Sequence, residues 1–229
     1  MEAGLGGLYA ARVIAAVVFD LDGVLIDSEQ LWDQSRREVA AASGVSWPEG
    51  ATVAMQGMSA PEWSRYMRDE VGVPRRVEEI NDLVLSHLLR HYRAGLPLLP
   101  GAVEAVSRLG ARWPLGLASS SNRVVIDEVL TLAGLASAFG VTVSSEEVER
   151  GKPSPDVYLE AARRLGVEPG ACAAVEDSGS GIRSAVAAAM KVVAVPNREY
   201  PPAPEVLATA DLVLDRLEEL TVERLSGLG

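Results

Sequence analysis

The residues in this chain whose types and spacing could do chemistry begin at Asp20-Leu21-Asp22-Gly23, where two carboxylates stand two positions apart directly after an apolar run. Carboxylates placed in this way can act as a nucleophile, as a general acid and base, or as ligands for a hard cation. Gly23 permits a tight turn behind them. Taken alone, the same residues also read as a polar turn between a strand and a loop.

Three further groups follow in order. Ser119-Ser120-Ser121-Asn122 comes after another apolar run and opens a helical pattern, a place where backbone N–H groups and small hydroxyls suit a phosphate and where a plain N-cap is equally at home. Lys152 lies in Gly151-Lys152-Pro153-Ser154-Pro155, a proline-bounded turn ahead of a helix. Glu176 and Asp177 close an apolar run and precede the glycine-containing turn Ser178-Gly179-Ser180-Gly181; as an acidic helix N-terminus they have a structural reading too.

Charge decides how these pieces combine. Asp20, Asp22, Glu176, Asp177 and a phosphate dianion cannot share one crevice without cations, since each like-charge contact at about 4 Å costs roughly 4 kcal/mol at intermediate dielectric. Lys152 supplies one positive charge. Oxygen ligands without clustered His or Cys favour Mg2+ for the remainder.

The elements that must position these groups can be read from periodicity. Residues 13–19 form a continuous apolar, largely β-branched run, as expected for a strand covered on both faces, and similar runs recur at 114–118, 171–175, 192–195 and 212–214 with helical patterns between most of them. This alternation predicts an α/β fold with a doubly wound, Rossmann-like parallel sheet. Residues 28–42, 61–71 and 77–92 are helical in spacing with no strand run among them, which predicts an inserted helical cap domain over 28–95. The core domain would then comprise 13–27 and 96–229, with hinges near 26–28 and 94–100.

The order and types of these motifs resemble the haloacid dehalogenase superfamily: Asp-x-Asp-Gly at 20–23, Ser119, Lys152 and the acidic pair Glu176-Asp177. The longer strings Asp-Leu-Asp-Gly-Val-Leu-Ile-Asp-Ser-Glu, Gly-Lys-Pro-Ser-Pro-Asp-Val-Tyr and Val-Glu-Asp-Ser resemble its β-phosphoglucomutase-like branch, and within it the bacterial hexitol-phosphate and 2-deoxyglucose-6-phosphate phosphatases. The resemblance implies an Mg2+-dependent phosphatase acting on a small phosphomonoester, a sugar or polyol phosphate, through an aspartyl-phosphate on Asp20. Asp22 would be the general acid and base. Lys152, Ser119, Ser120, Ser121 and Asn122 would hold the phosphoryl group, and Asp20, Asp22, Glu176 and Asp177 the metal.

Phosphomutases of that branch carry a His and an Arg where this chain has Trp32 and Ala60, so hydrolysis is favoured over phosphoryl relocation. A mutase and a non-catalytic module on the same fold are the competing readings. The residues at 28–94 contain no lysine, which excludes a Schiff-base lysine there.

A formal net charge of -11 opposes nucleic-acid and anionic-membrane partners. The run 13–19 is too short to span a bilayer. Cys172 is the sole cysteine, which excludes an internal disulfide and suits a reducing, cytoplasmic setting. A monomer is expected, with a disordered leader before Val13. His87 and His91, four apart without an acid following His87, read as packing residues rather than metal ligands. Trp32, Trp47, Trp63, Met55 and Met58 read as small-domain core, and residues 55–60 as a specificity loop.

Overall fold

The computed structural model describes residues 13–55, 58–197 and 201–229. Six parallel strands form one sheet: β1 (Ala16–Phe19), β2 (Leu115–Ser119), β3 (Val141–Ser144), β4 (Cys172–Glu176), β5 (Lys191–Ala194) and β6 (Leu212–Val213), in the spatial order β3-β2-β1-β4-β5-β6. Four helices lie between β1 and β2 ahead of the first helix of the sheet layer: α1 (Glu29–Ala42), α2 (Ala51–Ala54), α3 (Ala60–Asp69) and α4 (Val77–Ala94). The layer itself uses α5 (Ala102–Gly110), α6 (Arg123–Leu132), α7 (Asp156–Leu165) and α8 (Gly179–Ala187).

Strand β1 is buried along its whole length because both of its faces are covered. Val17 and Phe19 pack with α5 and α6 on one side, while Ala16 and Val18 pack with α7 and α8 on the other. Period-two alternation therefore feeds two cores, the arrangement that makes a parallel strand read as a continuous apolar run. Cys172 is buried in the second core, and burial alone pushes its thiol up to about 11.

The predicted runs at 13–19, 114–118, 171–175, 192–195 and 212–214 correspond to β1, β2, β4, β5 and β6 within a few residues at their ends. Strand β3 has no counterpart among them. It is an edge strand whose Val-Thr-Val-Ser alternates and whose first two residues are only half-buried, so it lacks an apolar run.

Asp20 follows the centre of the sheet. Chain connections leave β1 toward β2 on one side and reach β4 on the other, so the crevice beyond β1 and β4 is the switch point where ligands of such sheets bind. The two connections to the helical insertion run side by side: Ile26 bridges Leu98, Asp27 N–H donates to Pro97 at 2.8 Å, and Leu99 N–H donates to Leu25 at 2.9 Å.

Within the insertion, α1 and α4 are clamped by Glu38, which meets His87 Nδ1 at 2.5 Å, His91 Nε2 at 3.1 Å and Arg90 at 3.0 Å. The two histidines thus serve packing. The predicted disordered leader lies outside the described residues. No helix among the described residues is long and apolar enough to cross a membrane.

Candidate active site

Parallel register sets the first geometry. Phe19 is level with Leu117 of β2 and Val175 of β4, so Asp20 and Glu176 emerge at the same height, and Asp20 N–H donates to the Val175 carbonyl at 2.9 Å. The loop ahead of α7 returns Lys152 to this point. Its Nζ donates to Asp20 Oδ1 at 2.7 Å and to Glu176 Oε1 at 2.6 Å. Tyr158, on the buried face of α7, donates its hydroxyl to the same Glu176 oxygen at 2.7 Å. The second oxygen of Glu176 accepts from the backbone N–H groups of Asp177 and Ser178 and from the Ser178 hydroxyl.

The carboxylates of Asp20, Glu176 and Asp177 converge, with ligand oxygens within 4.8 Å of one another. Burial, then the neighbouring Glu176 and Asp22, push the Asp20 carboxyl up to about 7 against the pull of Lys152. Burial and the charges of Glu176 and Asp20 raise Asp177 well above the usual carboxylate range. Burial pulls the Lys152 ammonium down, but Asp20 and Glu176 outweigh it and hold the group above the usual lysine range. One ammonium cannot neutralise three buried carboxylates. The Asp177 carboxylate, moreover, receives no hydrogen bond from the described residues, and such a set of crowded oxygen acceptors fits a hard divalent cation.

Two glycines make this crowding possible. Gly23 has φ +80°, and a Cβ there would lie 2.0 Å from Asp177 Oδ2; a Cβ on Gly181 would lie 1.8 Å from Glu176 Oε1. Gly181→Ala is therefore expected to displace Glu176 and with it Lys152. Urea unfolding should show a loss of roughly 1–3 kcal/mol, the usual range for overpacking, and turnover should fall at least tenfold. Unchanged stability together with unchanged turnover would contradict this account.

Asp22 faces the same cavity in a ring of hydroxyls. Ser28 donates to its Oδ1 at 2.5 Å and Trp32 Nε1 approaches that oxygen at 3.4 Å, while Ser121 donates to Oδ2 at 2.6 Å. Ser28 and Trp32 belong to the start of the helical insertion, so the side chain of Asp22 is oriented from both parts of the molecule. Neither contact was anticipated. The Asp-Ser-Glu string before α1 marks Ser28 as a helix N-cap, where a serine oxygen accepts from backbone N–H groups; Ser28 instead donates to Asp22, so the string carried no signal for this contact.

Of the predicted phosphate-binding residues, Ser120, Ser121 and Asn122 line the cavity with Asp20, Lys152 and Asp177. Ser119 lies fully buried beneath them, and its hydroxyl accepts from Ser121 N–H at 3.0 Å. Asn122 donates to Glu146 at 2.7 Å. Trp32, Trp63, Met55, Met58 and Ala60 line the opposite wall, so several residues read as core are both packed and cavity-facing. Gln56 and Gly57 of the predicted specificity loop lie outside the described residues.

A doubly wound sheet carrying an acid cluster and a lysine at its switch point, with helices inserted after β1, defines a class, and the chain matches the haloacid dehalogenase-like hydrolase model over residues 14–189. It belongs to that family. Among curated relatives, hexitol phosphatase B of Escherichia coli is 37% identical over 94% of this chain and 98% of its own length. Hexitol phosphatase A of the same species is 33% identical over 90% and 93%. Among solved structures, CbbY from Rhodobacter sphaeroides in complex with phosphate superposes with a TM-score of 0.82 at 27% identity, covering 93% of this chain and 99% of that one. Hydrolysis of phosphoric monoesters is the enzyme class that the family and its named phosphatases support.

Proposed function

We propose that this enzyme releases phosphate from a small phosphorylated sugar or polyol with Mg2+ bound, using Asp20 as the nucleophile. The observation that carries the reading is the meeting of Asp20, Lys152 and Asp177 in one cavity with Ser120, Ser121 and Asn122 on its other rim. Residues 28–95 act as the cap domain over a core of 13–27 and 96–229.

Asp20 attacks phosphorus and the ester oxygen leaves, giving an aspartyl-phosphate on the protein. Asp22, held by Ser28 and Ser121, protonates the departing alkoxide and then takes a proton from the water that hydrolyses the aspartyl-phosphate. Lys152 neutralises charge on the transferring oxygens, and the N–H groups at the start of α6 with Ser120 and Ser121 orient them. Asp20 and Asp177 would hold the metal, which supplies charge neutralisation at the phosphoryl group when bound. Glu176 joins that ligand group through its proximity, and its hydrogen bonds also fix Lys152.

Trp32 and Ala60 present no charge with which to hold a bisphosphate for relocation, which favours water over a second sugar hydroxyl as the acceptor. The test is a panel of phosphorylated hexitols, aldoses and nucleotides assayed for phosphate release with millimolar Mg2+ and again with EDTA. Release from a hexitol or sugar phosphate, abolished by EDTA and restored by Mg2+, is the expected result. No release from any member would overturn the reading.

A further inference from the structure

Arg36 on α1 has no part in the phosphoryl chemistry, yet its side chain lines the cavity that holds Asp20, Asp22 and Lys152. It is only 5% exposed. Its guanidinium carbon lies 5.3 Å from the ring centroids of both Trp32 and Trp63, which are themselves 5.9 Å apart and tilted by 59°. Among the described residues, the buried Nε and Nη1 have no hydrogen-bond partner and no carboxylate pairs with the group; Glu29, Asp33 and Asp22 act on it only through space. Burying a charged donor in this way costs stability unless something else supplies acceptors. The two indole faces fix the plane of the fork and leave its N–H edge for that purpose.

A second orphan lies on the same wall. Glu29 Oε1 is buried and accepts no hydrogen bond from the described residues. A carboxylate or a second phosphate on the substrate would satisfy Arg36 but would press against Glu29 and add to the anions of Asp20, Glu176 and Asp177. A hydroxyl suits both partners, since its oxygen accepts from Arg36 while its proton is donated to Glu29.

We propose that Arg36 is the specificity-determining residue of this cavity, binding hydroxyl oxygens on the polyol end of the substrate, with Glu29 accepting from a neighbouring hydroxyl. This rests on the phosphatase reading above and names what that site selects. It also accounts for a buried arginine packed on two tryptophans with its Nε and Nη1 unused by the described residues.

The test compares a hexitol 6-phosphate with n-hexyl phosphate and p-nitrophenyl phosphate in the wild type, Arg36→Met and Arg36→Lys. In the wild type, loss of the hydroxyls should lower kcat/KM by roughly tenfold to a hundredfold, the range of one or two charge-assisted hydrogen bonds. In Arg36→Met the preference for the hexitol ester over p-nitrophenyl phosphate should shrink by a similar factor, mainly through KM, and Arg36→Lys should recover part of it. The melting temperature of Arg36→Met should equal or exceed that of the wild type, because Met removes orphaned donors while filling the space between the rings; a merely structural arginine would give the opposite sign. Equal losses on both esters, or an unchanged preference in both variants, would overturn the assignment while leaving the phosphatase reading intact. A wild-type preference for a carboxylate-bearing sugar phosphate over the hexitol ester by tenfold, lost in Arg36→Met, would overturn the hydroxyl class. Failure of the wild type to hydrolyse any of the esters would instead count against the phosphatase reading itself.

Discussion

Asp20→Asn is expected to lower phosphate release by about 10^4-fold or more while the protein stays folded. An amide cannot form the acyl-phosphate bond of the proposed mechanism, and it would also take away one of the oxygens proposed to hold the metal. Stability should hold because the Asp20 carboxyl is pushed up to about 7 by its buried, anionic surroundings, so its charge opposes folding in the metal-free protein. The neutral amide keeps the shape and still accepts from Lys152. Steady-state phosphate release and thermal melting in EDTA check the two halves of this expectation. Retention of more than a few per cent of activity would remove Asp20 from the nucleophile's role.

Lys152→Met should produce the second largest effect, and it acts on stability as well as on rate. The lysine side chain is 3% exposed and is shared between Asp20 and Glu176, so its loss leaves buried carboxylates without the one ammonium that pairs with them among the described residues. Removing one partner of a buried ion pair costs about 3–5 kcal/mol, and loss of one preorganised donor to a developing anion costs roughly 10^2- to 10^3-fold in kcat. In EDTA the unfolding midpoint in urea should drop accordingly. Millimolar Mg2+ should restore more stability to Lys152→Met than it adds to the wild type, because the cation then relieves carboxylates that no ammonium neutralises. A variant as stable in EDTA as the wild type would show that Lys152 does not carry this charge balance.

These effects concern residues whose types were legible in the chain but whose distances were not. Asp20 and Lys152 are separated by 132 positions, and Lys152 and Glu176 by 24. Local patterning predicted that each would stand at the end of a buried strand or in a stiff turn, and the excess of acids over cations implied a metal. The partner of Glu176 in Tyr158, however, depends on which face α7 lays against β1 and β2. The same holds for Ser28 and Trp32 at Asp22, whose contact depends on how the first connection turns α1 back over the sheet.

Helix α1 shows the division most clearly. The spacing over 28–42 predicts a helix, and its buried residues are Trp32, Ser35, Arg36, Val39 and Ala40. An arginine counts as a polar-face residue in any hydrophobic pattern, so sequence alone turns the stripe away from it. What the sequence by itself determined is a parallel sheet with Asp20 at the carboxyl end of a buried strand, the helical insertion and the identities of the acids and the lysine, since burial on both faces follows from residue type. Only the tertiary structure decided that Glu176 anchors Lys152 and that Arg36 turns inward against Trp32 and Trp63, because the first depends on the loop before α7 returning to the end of β4 and the second on how α1 packs against α3.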